Sequence, residues 1–141
     1  MLTTVMLTKG ILVNPITMNL VADDIIRFAL REDMNAGDLS TESVCSGPRE
    51  AEVQLIAKAA GVIAGLDVFE RAFTLLDPAT TFDARVSDGD EVEPGQVLGT
   101  VRGDARVLLS GERVALNFLQ RMSGIATYTR TMAKELEGTK T

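Results

Sequence analysis

The segment from Asp104 to Met122 constrains the fold most, because it has the pattern of a helix that is buried on most of its sides. Wound at about 100° per residue, it gathers its polar side chains into one narrow arc: Arg106, Ser110, Arg113, Asn117, Gln120 and Arg121. Apolar residues cover the other sides, and Glu112 is the only charge among them. This pattern predicts a buried carboxylate that needs a partner.

The polar arc of this helix contains arginines and no acidic residue, whereas salt-bridged surface helices usually mix both signs. Such an arc is typical of the wall of an anion site. The alternative is an ordinary core helix with one solvated face.

Charge is distributed unevenly along the chain. Residues 1–103 contain 8 basic and 16 acidic side chains, a net charge of −8, whereas residues 104–141 contain 6 basic and 4 acidic, a net charge of +2. The acidic bulk argues against nucleic acid as a partner. The basic C-terminal part predicts that any anion binds there.

The chemistry available to the chain is limited by its composition. It contains no histidine, which excludes Cys/His and Ser/His catalysis and the common zinc sites within it. A single cysteine, Cys45, cannot form an internal disulfide, and this fits a reducing, cytoplasmic setting. No apolar run approaches the length of a membrane span, so no membrane partner is expected.

The first part of the chain predicts a mixture of helices and strands. A helix is expected from about Leu20 to Asp33, with an apolar face that consists of Val21, Ile25, Phe28 and Ala29. The polar loop 32–41 contains several carboxylates, for which capping and turn formation are favoured over metal binding. Residues 51–58 alternate as a strand with one wet face, with Val53, Leu55 and Ala57 on the other. A helix is expected over 66–76, with Phe69, Ala72, Phe73 and Leu76 inward.

The second part predicts strands, then two helices. Residues 81–103 read as all-β, with turns at Asp88-Gly89 and Pro94-Gly95. Ser123-Gly124 predicts a break after the arginine-rich helix, with Ser123 capping a further helix to about Leu136. The inward residues of that helix are expected to be Ile125, Tyr128, Met132 and Leu136.

The hairpin 88–98 resembles the half-motif of biotinyl and lipoyl carrier domains. Those carriers present a modified lysine at a hairpin tip, and here no lysine lies between Lys58 and Lys134. The similarity therefore indicates shared β-hairpin physics only.

Five short motifs occur in an order that is similar to quinolinate phosphoribosyltransferase, also called nicotinate-nucleotide pyrophosphorylase (carboxylating). The resemblance runs from about Leu20 to Thr141, and its most specific part is the Glu-Arg-Val-Ala-Leu-Asn and Ser-Gly-Ile-Ala-Thr pair. The motifs are Gly37-Asp38, Gly61-Val62-Ile63-Ala64-Gly65, Asp88-Gly89, Glu112-Arg113-Val114-Ala115-Leu116-Asn117 and Ser123-Gly124-Ile125-Ala126-Thr127.

The resemblance implies a reaction in NAD biosynthesis. Quinolinate and phosphoribosyl pyrophosphate would give nicotinate mononucleotide, pyrophosphate and CO2, with Mg2+ assisting the departure of pyrophosphate. It also implies a homodimer or a multiple of dimers, in which Arg113 binds a quinolinate carboxylate in the neighbouring subunit's site. No catalytic residue and no metal ligand is carried over to this chain, and Glu112 is given a structural role.

The resemblance implies an α+β fold: an N-terminal α/β sandwich, with an antiparallel sheet packed with helices, then the first helix of a truncated α/β barrel-like domain. The expected divisions are an N-terminal extension (1–19), the sandwich (20–122) and the start of the barrel (123–141). Family members are considerably longer, so the chain alone is expected to be inactive. The alternatives are a paralogue associated with molybdenum transport and a non-catalytic interaction or carrier-like module.

Overall fold

The computed structural model describes residues 18–37 and 49–139 of the 141-residue chain. Most of the predicted extension 1–19, the end of the loop 32–41 and Cys45 lie outside these residues. The described elements are a π-helical turn (Met18–Ala22), α1 (Asp23–Gly37), β1 (Glu50–Ile56), β2 (Gly61–Val62), α2 (Leu66–Thr74), β3 (Thr81–Ala84), β4 (Glu91–Val92), β5 (Val97–Asp104) and α3 (Ala105–Thr139). No helix in the described ranges is both long and apolar enough to cross a membrane.

The strands form two antiparallel sheets. The larger sheet has the order β1-β5-β3, and β5 lies in its centre with Val101 opposite both Val53 and Phe82. The smaller sheet pairs β2 with β4. The turns predicted at Asp88-Gly89 and Pro94-Gly95 are present, and both glycines adopt positive φ. The predicted α+β class with antiparallel sheets and packed helices is therefore confirmed.

Helices α2 and α3 pack against each other and contact the larger sheet, and α1 packs against both helices. The predicted inward face of α2 is confirmed, since Phe69, Ala72 and Phe73 are buried and Leu76 is partly buried against them. The ring of Phe69 makes edge contacts with those of Phe73 and Phe82. This aromatic cluster joins α2 to the sheet.

The predicted apolar face of α1 is wrong except at Ala29, which is partly buried against the core. Ile25 and Phe28 are more than half exposed, whereas Ile26 and Leu30 are buried. The cause is Asp23, which is buried and forms a bidentate ion pair with an arginine of α2. Positions three and seven residues after Asp23 share its face of the helix, so Ile26 and Leu30 turn inward with it.

The strand predicted over 51–58 is present as β1, and its alternation is partly confirmed. Leu55 and Ala57 are buried, but Val53 is 44% exposed. Val53 and Leu55 line the same apolar cavity of about 880 Å3 between β1 and α3. Val53 pairs with the buried Val101 across the sheet, so it lies on the predicted face even though it is exposed at the cavity.

Candidate functional site

Arg113 lies on a regular helix and points away from the core. Residues 105–122 are helical as predicted, and the Arg113 side chain is 73% exposed. Its Nη1 donates a hydrogen bond to Oδ1 of Asp33 on α1, at 3.0 Å. The Asp33 side chain is only 16% exposed. One terminal nitrogen of the guanidinium is thus held by a carboxylate from another helix.

The rest of the predicted polar stripe divides into two parts. Arg106 is paired with Asp104 just before the helix, whose Oδ1 also accepts the Arg106 backbone N–H at 2.9 Å. Asn117, Gln120 and Arg121 instead line a groove of about 710 Å3 between α3 and α1, opposite Glu32 and Asp33.

The acidic partners of the stripe come from outside the helix, so the pattern of α3 alone could not reveal them. Asp33 is 80 residues from Arg113 in sequence. The signal that could have found it lies in α1. Once Asp23 sets the inward face, helical spacing places Ile26, Leu30 and Asp33 on that same face.

Glu112 is exposed, and the predicted buried carboxylate is wrong. The buried face of α3 is narrower than predicted and consists of Leu108, Gly111, Val114, Ala115 and Leu119. The side that carries Glu112 borders the open apolar cavity. Leu109 is 49% exposed for a similar reason, because no described element covers that side of the helix.

The predicted break at Ser123-Gly124 is also wrong, since α3 continues without interruption to Thr139. A single glycine in an exposed helix costs only about 1 kcal/mol, and no atom lies within 4 Å of a Cβ placed at Gly124. The residues predicted to face inward in this half are exposed: Ile125, Tyr128, Met132 and Leu136. The helix crosses the predicted domain boundary, which itself stays a prediction.

Ser123 and Thr127 bind the backbone of the segment Gly61–Gly65, which contains β2. The Ala64 N–H donates to Ser123 Oγ at 3.0 Å, and the same hydroxyl donates back to the Ala64 carbonyl at 3.1 Å. The Val62 N–H donates to Thr127 Oγ1 at 2.9 Å. Two hydroxyls one helical turn apart therefore accept hydrogen bonds from alternate residues along one edge of this segment.

The other edge of the same segment is bound by the turn at Asp88-Gly89. The Ile63 N–H donates to the Asp90 carbonyl at 2.9 Å, and the Gly89 N–H donates to the Ile63 carbonyl at 2.7 Å. Three of the motifs that predicted the family thus meet at one junction. We call this contact of 61–65 with the 88–90 turn and with Ser123 and Thr127 the motif junction.

The glycines of the motif junction allow its close contacts. A Cβ on Gly61 would lie 2.8 Å from Thr127 Oγ1, and Gly65 has a φ of +96°. The Asp88 carboxylate accepts the N–H groups of Gly65 and Leu66 at 3.2 and 3.1 Å, which caps the start of α2. Burial, together with the nearby charge of Asp88, raises the pKa of Asp67 in that first turn.

Replacing Thr127 with valine should increase amide hydrogen exchange at Val62 selectively. The substitution removes the acceptor of a partly buried N–H, which costs about 1–3 kcal/mol. The Ile63 amide should change less, because its acceptor is the Asp90 carbonyl. Exchange at both amides, followed by NMR, measures the effect.

Thr131→Val is the matched control for this prediction. The Thr131 hydroxyl donates only to the Thr127 carbonyl within its own helix. Exchange at Val62 should therefore remain at its original rate. Equal acceleration in both variants would show that the hydroxyl of Thr127 does not protect this amide.

The amino-acid sequence matches one family model, described as "Quinolinate phosphoribosyl transferase, N-terminal domain", over residues 38–123. The match covers more than half of the chain and includes both Arg113 and the motif junction up to Ser123. The chain belongs to the quinolinate phosphoribosyltransferase family.

Curated relatives agree with the family model. The chain is 41% identical over 110 residues to quinolinate phosphoribosyltransferase [decarboxylating] 1 of Nicotiana glauca, covering 77% of this chain and 31% of that protein. It is 41% identical over 106 residues to the probable nicotinate-nucleotide pyrophosphorylase [carboxylating] of Bacillus subtilis, covering 75% and 36%. The chain thus spans about a third of the length of these relatives.

Solved structures share the fold. NadC from Streptococcus pyogenes superimposes with a TM-score of 0.80 at 42% identity, covering 89% of this chain and 44% of that one. The nicotinate-nucleotide pyrophosphorylase of Francisella tularensis gives a TM-score of 0.76 at 25% identity, covering 83% and 41%. The predicted resemblance to the quinolinate phosphoribosyltransferases is therefore confirmed, and the described fold is that of the N-terminal part of such a protein.

Proposed function

We propose that this chain is the N-terminal part of an enzyme that converts quinolinate and phosphoribosyl pyrophosphate to nicotinate mononucleotide, pyrophosphate and CO2. Within that enzyme, Arg113 binds a carboxylate of quinolinate. The observation that carries the proposal is the exposed guanidinium of Arg113, fixed on a packed helix in a chain of this family.

The chemistry of Arg113 fits a carboxylate ligand. A guanidinium is planar and permanently charged, and it binds carboxylates through two parallel hydrogen bonds. Its backbone is fixed because the neighbouring Val114 and Ala115 are buried in the core. A rigid backbone places the charge with little loss of freedom on binding.

The site itself is completed by other parts of the protein. Arg113 points away from its own core, and the chain spans about a third of the length of its relatives. We therefore assign Arg113 to the active site of the neighbouring subunit in a homodimer or a multiple of dimers. By the same reasoning, the 141-residue chain alone does not turn over substrate.

The family resemblance implies Mg2+, and the described residues do not fit it. They contain no group of three or more His, Cys, Asp or Glu side chains that could hold a metal ion. We place the protein in the cytoplasm, a setting supported by its single cysteine.

Arg113→Lys should raise the KM for quinolinate by about tenfold or more, because lysine cannot form the bidentate pair. The assay uses a hybrid in which this chain is joined to the part of the Bacillus subtilis relative that follows the matched region. Production of nicotinate mononucleotide is measured, with the unextended chain as the inactive reference.

Arg102→Lys is the control for this substitution, since Arg102 is also mostly exposed but lies on β5, paired with Glu52. Arg102→Lys should leave the KM for quinolinate and the KM for phosphoribosyl pyrophosphate within about twofold of the parent values. An unchanged quinolinate KM in Arg113→Lys would reject the carboxylate role. Turnover by the unextended chain would show that its own residues suffice for catalysis.

A further inference from the structure

The guanidinium of Arg113 is occupied on one side only. Nη1 donates to Asp33 at 3.0 Å. Among the described residues, no group accepts a hydrogen bond from Nε or Nη2. These two nitrogens form the side edge of the guanidinium, which can bind both oxygens of one carboxylate.

Other arginines of this chain show what that edge does when a carboxylate is available. Arg71 binds Asp23 through Nε and Nη2, at 2.8 and 2.7 Å. Arg106 binds Asp104 through the same two nitrogens, at 3.3 and 3.0 Å. Asp33 instead contacts Arg113 through Nη1, so the edge used by the other two pairs stays open.

The partner carboxylate is placed to hold Arg113 and not to cover it. Asp33 is 16% exposed and lies on the inner face of α1, whereas Arg113 is 73% exposed. Its neighbour on that face, Leu30, is buried in the core. A carboxylate on a packed helix is a fixed anchor for a long side chain that would otherwise sample many rotamers.

We infer that Asp33 is a positioning residue, which holds Nη1 of Arg113 so that the Nε–Nη2 edge faces the incoming carboxylate of quinolinate. The inference rests on the proposed function and adds to it a residue and an orientation. The negative charge of Asp33 weakens the attraction of Arg113 for an anion, but ordering the side chain in advance lowers the entropic cost of binding. Because Asp33 uses a separate nitrogen, it does not compete for the substrate edge.

Asp33→Asn in the hybrid enzyme tests this inference. Losing the charged acceptor should raise the KM for quinolinate by about fivefold to tenfold, an effect within the range of the net contribution of one ordinary hydrogen bond. The KM for phosphoribosyl pyrophosphate and kcat should change by less than about twofold, because the substitution acts only through Arg113. A general loss of structure would change all three.

Asp24→Asn is the matched control on the same helix. Asp24 is 79% exposed, and its only described ion pair is with Arg27 at 3.7 Å. All three kinetic constants should stay at their original values. In the double variant Asp33→Asn/Arg113→Lys, the quinolinate KM should not exceed that of Arg113→Lys alone, because the two residues act as one unit.

A second measurement uses the 141-residue chain itself. With 15N-labelled arginine, the Nη signals of Arg113 should be separate at low temperature, because the Asp33 contact restrains rotation of the guanidinium. In Asp33→Asn they should merge, and in Asp24→Asn they should stay separate. Merged signals in the unsubstituted chain would overturn the inference.

The outcomes separate the inference from the proposed function. If Arg113→Lys raises the quinolinate KM and Asp33→Asn leaves it unchanged or lowers it, the positioning role is wrong and the proposed function stands. If Arg113→Lys itself has no effect, the proposed function is wrong. If the quinolinate KM rises selectively in Asp33→Asn and not in Asp24→Asn, the result supports both the positioning role and the proposed function.

Discussion

Asp23→Asn is expected to lower the free energy of unfolding by about 2–3 kcal/mol, because it removes the buried negative charge that pairs with Arg71. Asp23 is 3% exposed and accepts hydrogen bonds from Nε and Nη2 of Arg71 at 2.8 and 2.7 Å. This loss is smaller than that for a fully buried ion pair, because Arg71 is one-third exposed and solvent screens its charge. Urea denaturation followed by circular dichroism measures the change.

The pH dependence of this effect has a defined sign. The hydrogen-bonded Arg71 holds the pKa of Asp23 below its ordinary value, against the opposing effect of burial. A carboxyl whose folded pKa is lowered stabilises the fold above its unfolded pKa, and this contribution is lost as the pH falls through the folded value. The parent and Asp23→Asn should therefore differ fully near neutral pH and converge below about pH 4.

The neighbouring residue provides the control for Asp23. Asp24→Asn removes an exposed carboxylate from the same turn of the helix, whose partner Arg27 is also exposed. Such a pair contributes about 0–1 kcal/mol. Equal losses in the two variants would mean that the Asp23–Arg71 pair does not hold α1 against α2.

Gly65→Ala is expected to destabilise the protein by about 2–4 kcal/mol, through backbone strain and overpacking together. Its φ of +96° disfavours any residue with a Cβ. That Cβ would lie 2.7 Å from Met122 Sδ and 3.2 Å from Met122 Cβ, so the Met122 side chain would have to turn aside and its Cβ shift by a few tenths of an ångström. Thermal and urea unfolding both report this change.

Gly89→Ala separates the two causes. Gly89 has the same φ of +96°, but no atom lies within 4 Å of the added Cβ. Its cost should therefore be the backbone strain alone, about 1–2 kcal/mol. The difference between the variants measures the packing against Met122, and similar costs for both would show that α3 adjusts without loss.

Local patterns in the sequence predicted the elements and the exposed arginine, because these depend on neighbouring residues. The turn dipeptides and the helical repeat around Arg113 are present in the structure, and the alternation in β1 is present in part. The features that were missed depend on contacts between distant residues. The pair of the buried Asp23 with Arg71 turned a different face of α1 inward. Ser123 and Thr127 contact the segment Gly61–Gly65 from a helix that runs through a predicted break.

In the candidate site, too, the features set by neighbouring residues were predicted and those set by distant contacts were missed. Helical spacing alone put Arg113 on a polar stripe, and the structure agrees. Its anchor Asp33 could not be predicted from α3, because the two residues meet only after α1 packs against that helix. The opposite error occurred at Glu112, where apolar neighbours in sequence suggested burial, and the open cavity leaves the side chain in solvent.

The arrangement of the strand segment Gly61–Gly65 bears on how the protein resists self-association. An exposed strand edge with unpaired N–H and C=O groups is a template for aggregation with other chains. Here Val62 and Ala64 direct those groups to side-chain hydroxyls of a helix, while Ile63 bonds to the hairpin turn. The outer edge of this segment is therefore covered, and a second molecule could pair with that edge only by first displacing α3.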